Sequence, residues 1–377
     1  MRIAIDARAF WWTGIGRYIR NIVHEFAKDS HGHEFTLLVP EGREGDIMRE
    51  LGDLDQLKPL GFKYVGVEPS YYSLKEQTKF LLQLNRLDID LVHFTHFNVP
   101  LLYRRPYVVT IHDITRFIFP GQKSQSLFQQ IAYEAVFAHA VKRARTLIAV
   151  SKTTLDDMKH LPITLPKNIA VIHEGIDPEF LTPVTPLLNQ KLRLLLGTDK
   201  PYVLYVGVWM SHKNLVRLLQ AFEVVRAQYP EMQLVITGKP VPGYSNLLQY
   251  VQEHGLEKNV IFPGFVPASL LPVLYANASL LVLPSLYEGF GLPPLEAAAC
   301  GTPVVISNVS SMPELLQDAA EYINPESVED ISRGIIAVLA DPEYAGRLVA
   351  NGLAKSREYR WEITAQQHIR IYETALQ

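Results

Sequence analysis

A chain of 377 residues exceeds what one ordinary core needs and suits two domains of about 150 to 200 residues each, and 48% hydrophobic residues are enough to fill both. A formal charge of −3 gives a nucleic-acid partner no electrostatic support. The single cysteine, Cys300, excludes an intrachain disulfide framework and a cysteine-based metal cluster.

The N-terminal stretch Met1-Arg-Ile-Ala-Ile-Asp6 reads as a strand with a charge inside it rather than as a signal peptide. No run of 18 apolar residues follows anywhere, so a soluble, cytoplasmic protein is expected. Gly14 to Lys28 carries apolar residues at Ile15, Ile19, Ile22, Val23 and Phe26, the spacing of one helix face. Strands are expected at Phe35–Val39, Asp90–Phe94, Tyr107–His112, Thr146–Val150 and Ile169–Ile172, with helices near 72–86, 125–143 and 152–159. Continuous Val/Ile/Leu runs alternating with helices indicate a parallel sheet covered on both faces, hence a doubly wound domain over 1–180. The pattern lapses over 181–200, which is read as a linker.

The alternation restarts with a strand at Tyr202–Val206 and continues through a helix at Leu215–Ala227, a strand at Gln233–Thr237, a helix at Tyr244–His254, a strand at Val260–Phe262 and a helix at Ser269–Ala276. Leu280 to Ser307 then forms a compact βαβ unit: an apolar run, a glycine-bearing loop, a short helix opened by two prolines and closed by Gly301, and a second apolar run. Ser311 followed by Glu314 is a capping box for the next helix. The expected fold is α/β, two Rossmann-like doubly wound domains facing across a cleft. The second spans 201–358, and a tail at 359–377 is expected to pack back on the first. Ligands of such sheets sit at the carboxyl ends of the strands.

Several motifs fall at such ends. Gly14-Ile-Gly16-Arg17 opens a helix after the first strand, where backbone N–H groups can face a phosphate; Ile19 rules out the G-x-G-x-x-G nicotinamide fingerprint, and a plain helix-opening turn is the competing reading. His112 ends a strand, suited either to a hydroxyl ligand or to capping backbone. Lys213 sits where a helix begins, and a cation there opposes the helix dipole unless it serves an anion. Glu288 stands beside Gly289-Phe290-Gly291, where glycines let a ligand approach the backbone. Glu296 reads as a first-turn carboxylate, for which dipole compensation is a sufficient reason. Asp88-Ile-Asp90 has the form of a metal-binding D-x-D, but it precedes its strand and so lies away from the ligand end; no metal site is assigned. Tyr71, Tyr72, Lys75, Lys79 and Phe80, and later Phe128, Phe137, Lys142 and Arg143, mix aromatics with cations, a pattern open both to peripheral membrane contact and to ordinary packing.

With these residues assembled, the chain resembles a family 4 retaining glycosyltransferase of the GT-B fold, mannosyltransferase-like. The resemblance rests on the Gly14–Arg17 loop, Val109-Thr-Ile-His-Asp113, Ala149-Val-Ser151, Ile172-His-Glu-Gly-Ile-Asp177, Tyr205-Val-Gly207 with Lys213-Asn214, the run from Leu283 to Glu296, and the tail around Trp361. Its most specific part is the pair Glu288 and Glu296 with seven residues between them. What the resemblance implies is transfer of a hexose, first of all mannose from GDP-mannose, with retention and without a cofactor or essential metal. The acceptor would be a glycan or a lipid-linked glycan, in polysaccharide or glycolipid synthesis. By the same analogy Glu296 takes the ribose diol, and Glu288 with the backbone of Gly289, Phe290 and Gly291 holds the sugar hydroxyls. Lys213 neutralises the diphosphate, the loop carrying Gly14 and Gly16 closes over it, and His112 contacts the transferred sugar. Family members often carry an arginine where this chain has Val208 or His212, so the extra phosphate charge falls to His212, or to Arg17 or Arg116. The acceptor side is expected near Phe10–Thr13, Phe97–Tyr103 and Thr115–Pro120. An epimerase or phosphorylase on the same fold, and a non-catalytic nucleotide-sugar or glycan binder, stay open as alternatives. Membrane contact, if made, would be peripheral, at the inner face.

Overall fold

The computed structural model describes residues 1–51, 62–68, 70–119, 127–238 and 246–377. Two compact units emerge. The first comprises Met1–Ile114, the described part of 123–175, and Arg360–Gln377; the second comprises Ile176–Tyr359 with the short helix Thr115–Ile118.

Unit 1 is built on seven parallel strands: β1 (Arg2–Asp6), β2 (Glu34–Pro40), β3 (Phe62–Val67), β4 (Leu91–Phe94), β5 (Tyr107–Ile111), β6 (Thr146–Ala149) and β7 (Ile169–Val171), in the order β3-β2-β1-β4-β5-β6-β7. The strands are short and almost wholly apolar, and β4 and β5 are buried along their whole length, as a sheet covered on both faces requires. Helix Gly14–Lys28 buries Tyr18, Ile19, Ile22, Val23 and Phe26 against this sheet. Each fully buried side chain of this size contributes about 1.5–3 kcal/mol. The C-terminal helix Trp361–Ala375 completes the same core with Trp361, Ala365, Ile369 and Tyr372. Its start lies so close to Gly175 that a Cβ there would come within 2.4 Å of the Trp361 nitrogen.

Unit 2 repeats the plan with six parallel strands: β8 (Tyr202–Tyr205), β9 (Gln233–Thr237), β10 (Val260–Gly264), β11 (Leu280–Leu283), β12 (Val304–Ser307) and β13 (Glu321–Ile323), in the order β10-β9-β8-β11-β12-β13. The α/β class expected from the sequence is therefore the class observed.

Three local expectations change. Within 181–200, where the pattern was expected to lapse, the chain forms the helix Pro186–Leu196, with proline at its start, Gly197 in the left-handed conformation at its end, and Leu192 and Leu196 buried. The helix expected near 72–86 contains a π-helical turn, Glu76–Phe80, ahead of Leu81–Arg86. The capping box fails, because Ser311 has helical φ and ψ and makes no cap hydrogen bond to Met312–Leu316. Its hydroxyl is drawn instead to the carbonyls of Glu288 and Phe290, at 3.1 and 2.5 Å. Residues 125–126 and 244–245 of two expected helices, Pro120 and the side chain of Phe128 lie outside the described residues.

Candidate active site

In each sheet the strand order reverses at one point, between β1 and β4 in unit 1 and between β8 and β11 in unit 2. Loops leaving neighbouring strands there run apart and leave a crevice at the carboxyl ends. In unit 2 the loop after β8 carries His212, Lys213 and Asn214, and the loop after β11 carries Ser285, Glu288 and Gly289 to Gly291.

The two loops are stitched together across the reversal. Leu286 N–H donates to the His212 carbonyl at 2.7 Å, and Asn214 Nδ2 donates to the Pro284 carbonyl at 3.0 Å. Lys213 Nζ lies 2.7 Å from both carboxylate oxygens of Glu288, and Ser285 Oγ donates to Oε1 at 2.7 Å. Both side chains of the pair are nearly buried, 14% and 12% exposed, so their attraction is little screened. The resemblance implies separate tasks for Lys213 and Glu288; in this structure they are each other's partner.

The Glu288 loop is held from behind by serines that sequence reasoning missed. Ser310 Oγ accepts from Glu288 N–H at 2.9 Å and reaches the Glu288 carbonyl at 2.5 Å, while Ser311 binds as described. Ser310 and Asn214 both adopt left-handed backbone, φ of +61° and +63°, conformations that non-glycine residues pay for and that cluster at functional sites. Gly291 at φ +103° holds a conformation that strains any other residue, and a Cβ there would have to displace the flexible end of Met312, its Cε 2.2 Å away. The Phe290 side chain is buried and packs on Tyr359, ring centroids 6.0 Å apart. His212 is buried near Phe119, and Val208 is exposed.

Glu296 is the fifth residue of helix Leu292–Ala299, not a first-turn carboxylate, so dipole compensation does not explain it. It is 2% exposed and accepts a 2.6 Å hydrogen bond from the Tyr275 hydroxyl. Beside it, burial pushes the Cys300 thiol up to about 12, which keeps it protonated and unreactive.

In unit 1, His112 follows β5 and has both ring nitrogens facing oxygen: Nδ1 is 3.0 Å from Glu174 Oε1 and Nε2 is 3.0 Å from the Thr95 carbonyl. A carbonyl can only accept, so Nε2 carries a proton, while Nδ1 faces the Glu174 carboxylate. Glu174 lies in the Ile172–Asp177 motif, but its pairing with His112 joins positions 62 apart and leaves no local signal. Of the two loop glycines, Gly16 is sterically required, because a Cβ would sit 2.3 Å from the Phe10 carbonyl oxygen, whereas nothing lies within 4 Å of one at Gly14. Arg17 N–H donates to the Thr13 carbonyl in the first turn. Asp88 and Asp90 are bound by Arg2 at the amino end of the sheet, Asp90 at 2.6 Å, which gives the D-x-D a structural role. Among the described residues no three His, Cys, Asp or Glu side chains converge as metal ligands, and no helix is long and apolar enough to cross a membrane.

Residues 12–180 match Glycosyltransferase Family 4, and residues 189–355 match Glycosyl transferases group 1. The O-antigen chain mannosyltransferase B of Escherichia coli is 29% identical, over 96% of this chain and 96% of its own. Among solved structures, sucrose-phosphate synthase from Thermosynechococcus elongatus superposes with a TM-score of 0.77 at 22% identity, covering 99% of this chain and 98% of that one. Anabaena HepE in complex with UDP and glucose gives 0.77 at 20% identity, over 99% and 100%. These two are GT-B proteins, and at such identity they speak for the fold alone. With one glycosyltransferase family matched in each half of the chain and a relative aligned from end to end, the chain belongs to the family 4 glycosyltransferases of the GT-B fold.

Proposed function

We propose that this glycosyltransferase moves a hexose from a nucleoside diphosphate sugar to a glycan or lipid-linked acceptor with retention at the anomeric carbon. Mannose from GDP-mannose is the first candidate, because the end-to-end relative is named for mannosyl transfer in O-antigen chains. UDP-glucose is the competing donor, as HepE was solved with UDP and glucose.

The Lys213–Glu288 pair astride the strand-order reversal carries the reading. A leaving diphosphate gains negative charge as the glycosidic bond breaks, and a fixed cation in a site shielded from water stabilises it. In this proposal Lys213 exchanges its carboxylate partner for the diphosphate, with His212 adding charge. Glu288, released, accepts hydrogen bonds from sugar hydroxyls together with the backbone of Gly289, Phe290 and Gly291. Glu296, already oriented by Tyr275, takes the ribose diol. In unit 1, Gly14 and Gly16 offer helix-start amides to phosphate, Arg17 lies in the same turn, and His112 contacts the transferred sugar as the catalytic partner of Glu288. The acceptor side falls to the loops near Phe10–Thr13 and Phe97–Tyr103. Exposed Tyr72, Leu74 and Leu82 suit peripheral contact with a membrane carrying the acceptor, which sedimentation with anionic vesicles tests.

The deciding experiment is a donor panel. Purified protein is given GDP-mannose, UDP-glucose and related donors, and melting temperature and release of nucleoside diphosphate are followed. One donor should raise the melting temperature and be turned over, and Glu296→Ala should abolish both. Indifference to every donor would reject the reading.

A further inference from the structure

A run of hydrogen bonds crosses the interior of unit 1 and passes beside His112, whose ring meets that of Tyr18. Tyr372 Oη is 2.7 Å from His93 Nδ1, His93 Nε2 is 2.8 Å from Thr110 Oγ1, Thr110 Oγ1 is 3.0 Å from Tyr18 Oη, and Tyr18 Oη is 2.6 Å from His368 Nε2. At the far end His368 Nδ1 lies 2.7 Å from the Thr364 carbonyl. All these side chains are buried.

The polarity of the run follows from that carbonyl. Thr364 oxygen can only accept, so His368 Nδ1 carries the proton. Burial holds His368 down to about 4 and His93 well below its ordinary value, so both rings are neutral with one donor and one acceptor each. His368 Nε2 then accepts from Tyr18, Tyr18 from Thr110, Thr110 from His93, and His93 Nδ1 from Tyr372. Every donor finds one acceptor, which leaves a single consistent arrangement.

One member of this system touches His112, and two more are tied to its neighbours. Thr110 precedes it by two residues on β5. The Tyr18 ring stands edge-on to the imidazole, centroids 4.8 Å apart at 85°. Thr364 Oγ1 donates at 2.8 Å to the carbonyl of His173, the residue next to Glu174, which binds His112 Nδ1. Thr364, His368 and Tyr372 all belong to helix Trp361–Ala375. A helix that only filled the core would need apolar side chains here; this one spends three polar groups on His112's supports.

We infer that the C-terminal helix is a positioning element for His112: Thr364, His368 and Tyr372, acting through His173, Tyr18, His93 and Thr110, hold the imidazole where it meets the transferred sugar. This rests on the reading that His112 contacts that sugar.

The test uses the full chain and whichever of GDP-mannose and UDP-glucose is turned over faster, with kcat, donor KM and melting temperature measured together. Thr110→Val keeps the shape and removes the hydroxyl; Thr110→Ser keeps the hydroxyl. The valine variant should lose about tenfold in kcat with donor KM within about twofold, a displaced catalytic group being costly while ground-state binding is untouched. The serine variant should stay within about twofold of the parent, and Tyr372→Phe, at the far end, should lose about three- to fivefold in kcat. Lower melting temperatures with kcat unchanged in the valine and phenylalanine variants would overturn the inference and reduce the helix to a core element. His112→Ala separates the two levels: unchanged kcat there removes the role given to His112, and the positioning inference with it, whereas a large loss there beside silent Thr110→Val and Tyr372→Phe variants removes the inference alone.

Discussion

On the proposed reading, the Lys213–Glu288 ion pair serves both stability and ligand exchange. Nearly buried, the two side chains neutralise each other, and on that reading a diphosphate competes with a carboxylate bound through both oxygens. Glu288→Gln removes that competition. It should bind the bare nucleoside diphosphate several-fold more tightly by calorimetry, while transfer falls by about two orders of magnitude because a neutral amide, with one acceptor oxygen, holds the sugar hydroxyls less strongly than the carboxylate. Weaker nucleotide binding would mean that Lys213 does not change partners. Tyr275→Phe tests the neighbouring carboxylate: losing a 2.6 Å hydrogen bond to a buried Glu296 should cost about 1.5–3 kcal/mol in urea unfolding and weaken nucleotide binding in parallel.

The glycine loops separate steric need from ligand need at the level of elements. Helix Gly14–Lys28 approaches the Phe10 turn so closely that Gly16→Ala must push backbone apart, and a loss of about 1–3 kcal/mol is expected in thermal or urea unfolding. Gly14→Ala meets open space in an ordinary conformation, so stability should stay within about 0.5 kcal/mol. A fall in donor affinity without loss of stability would mark that turn as a ligand contact; unchanged affinity would leave it a plain helix start. Elements of this kind were legible beforehand because helix Gly14–Lys28 and the strands carry their own periodicity. The helix Pro186–Leu196 was not, since its buried face is only Leu192 and Leu196 amid proline and charge. The Ser311 cap failed because a pair of nearby carbonyls competes for the same hydroxyl.

Across the whole molecule, buried neutral histidines set the acid limit of stability. Burial holds His93 well below its ordinary value, His96 down to about 3 and His368 down to about 4. Since these folded-state values lie below the unfolded one of about 6.5, the unfolded chain binds more protons in the window between them. Stability is therefore fully present above about pH 6.5 and falls as pH drops through that window, by about 2 kcal/mol at pH 5 for each ring that stays neutral. Urea unfolding at pH 7 and pH 5 should show this loss well before carboxylates titrate. Equal stability at the two values would mean that the rings are protonated in the folded chain.

Local sequence by itself determined the repeating α/β pattern, the parallel sheets it implies and the loops at strand ends, because hydrophobic period and turn residues act over a few positions. It also named Lys213, Glu288, Glu296 and His112 as candidates, each from its own neighbourhood. Only the tertiary structure decided who partners whom. Lys213 meets Glu288 across 75 residues, His112 meets Glu174 across 62, and Tyr18 meets His368 across 350. Such pairings depend on strand order, and strand order is fixed by how whole sheets bury their faces, a property no single stretch of sequence carries.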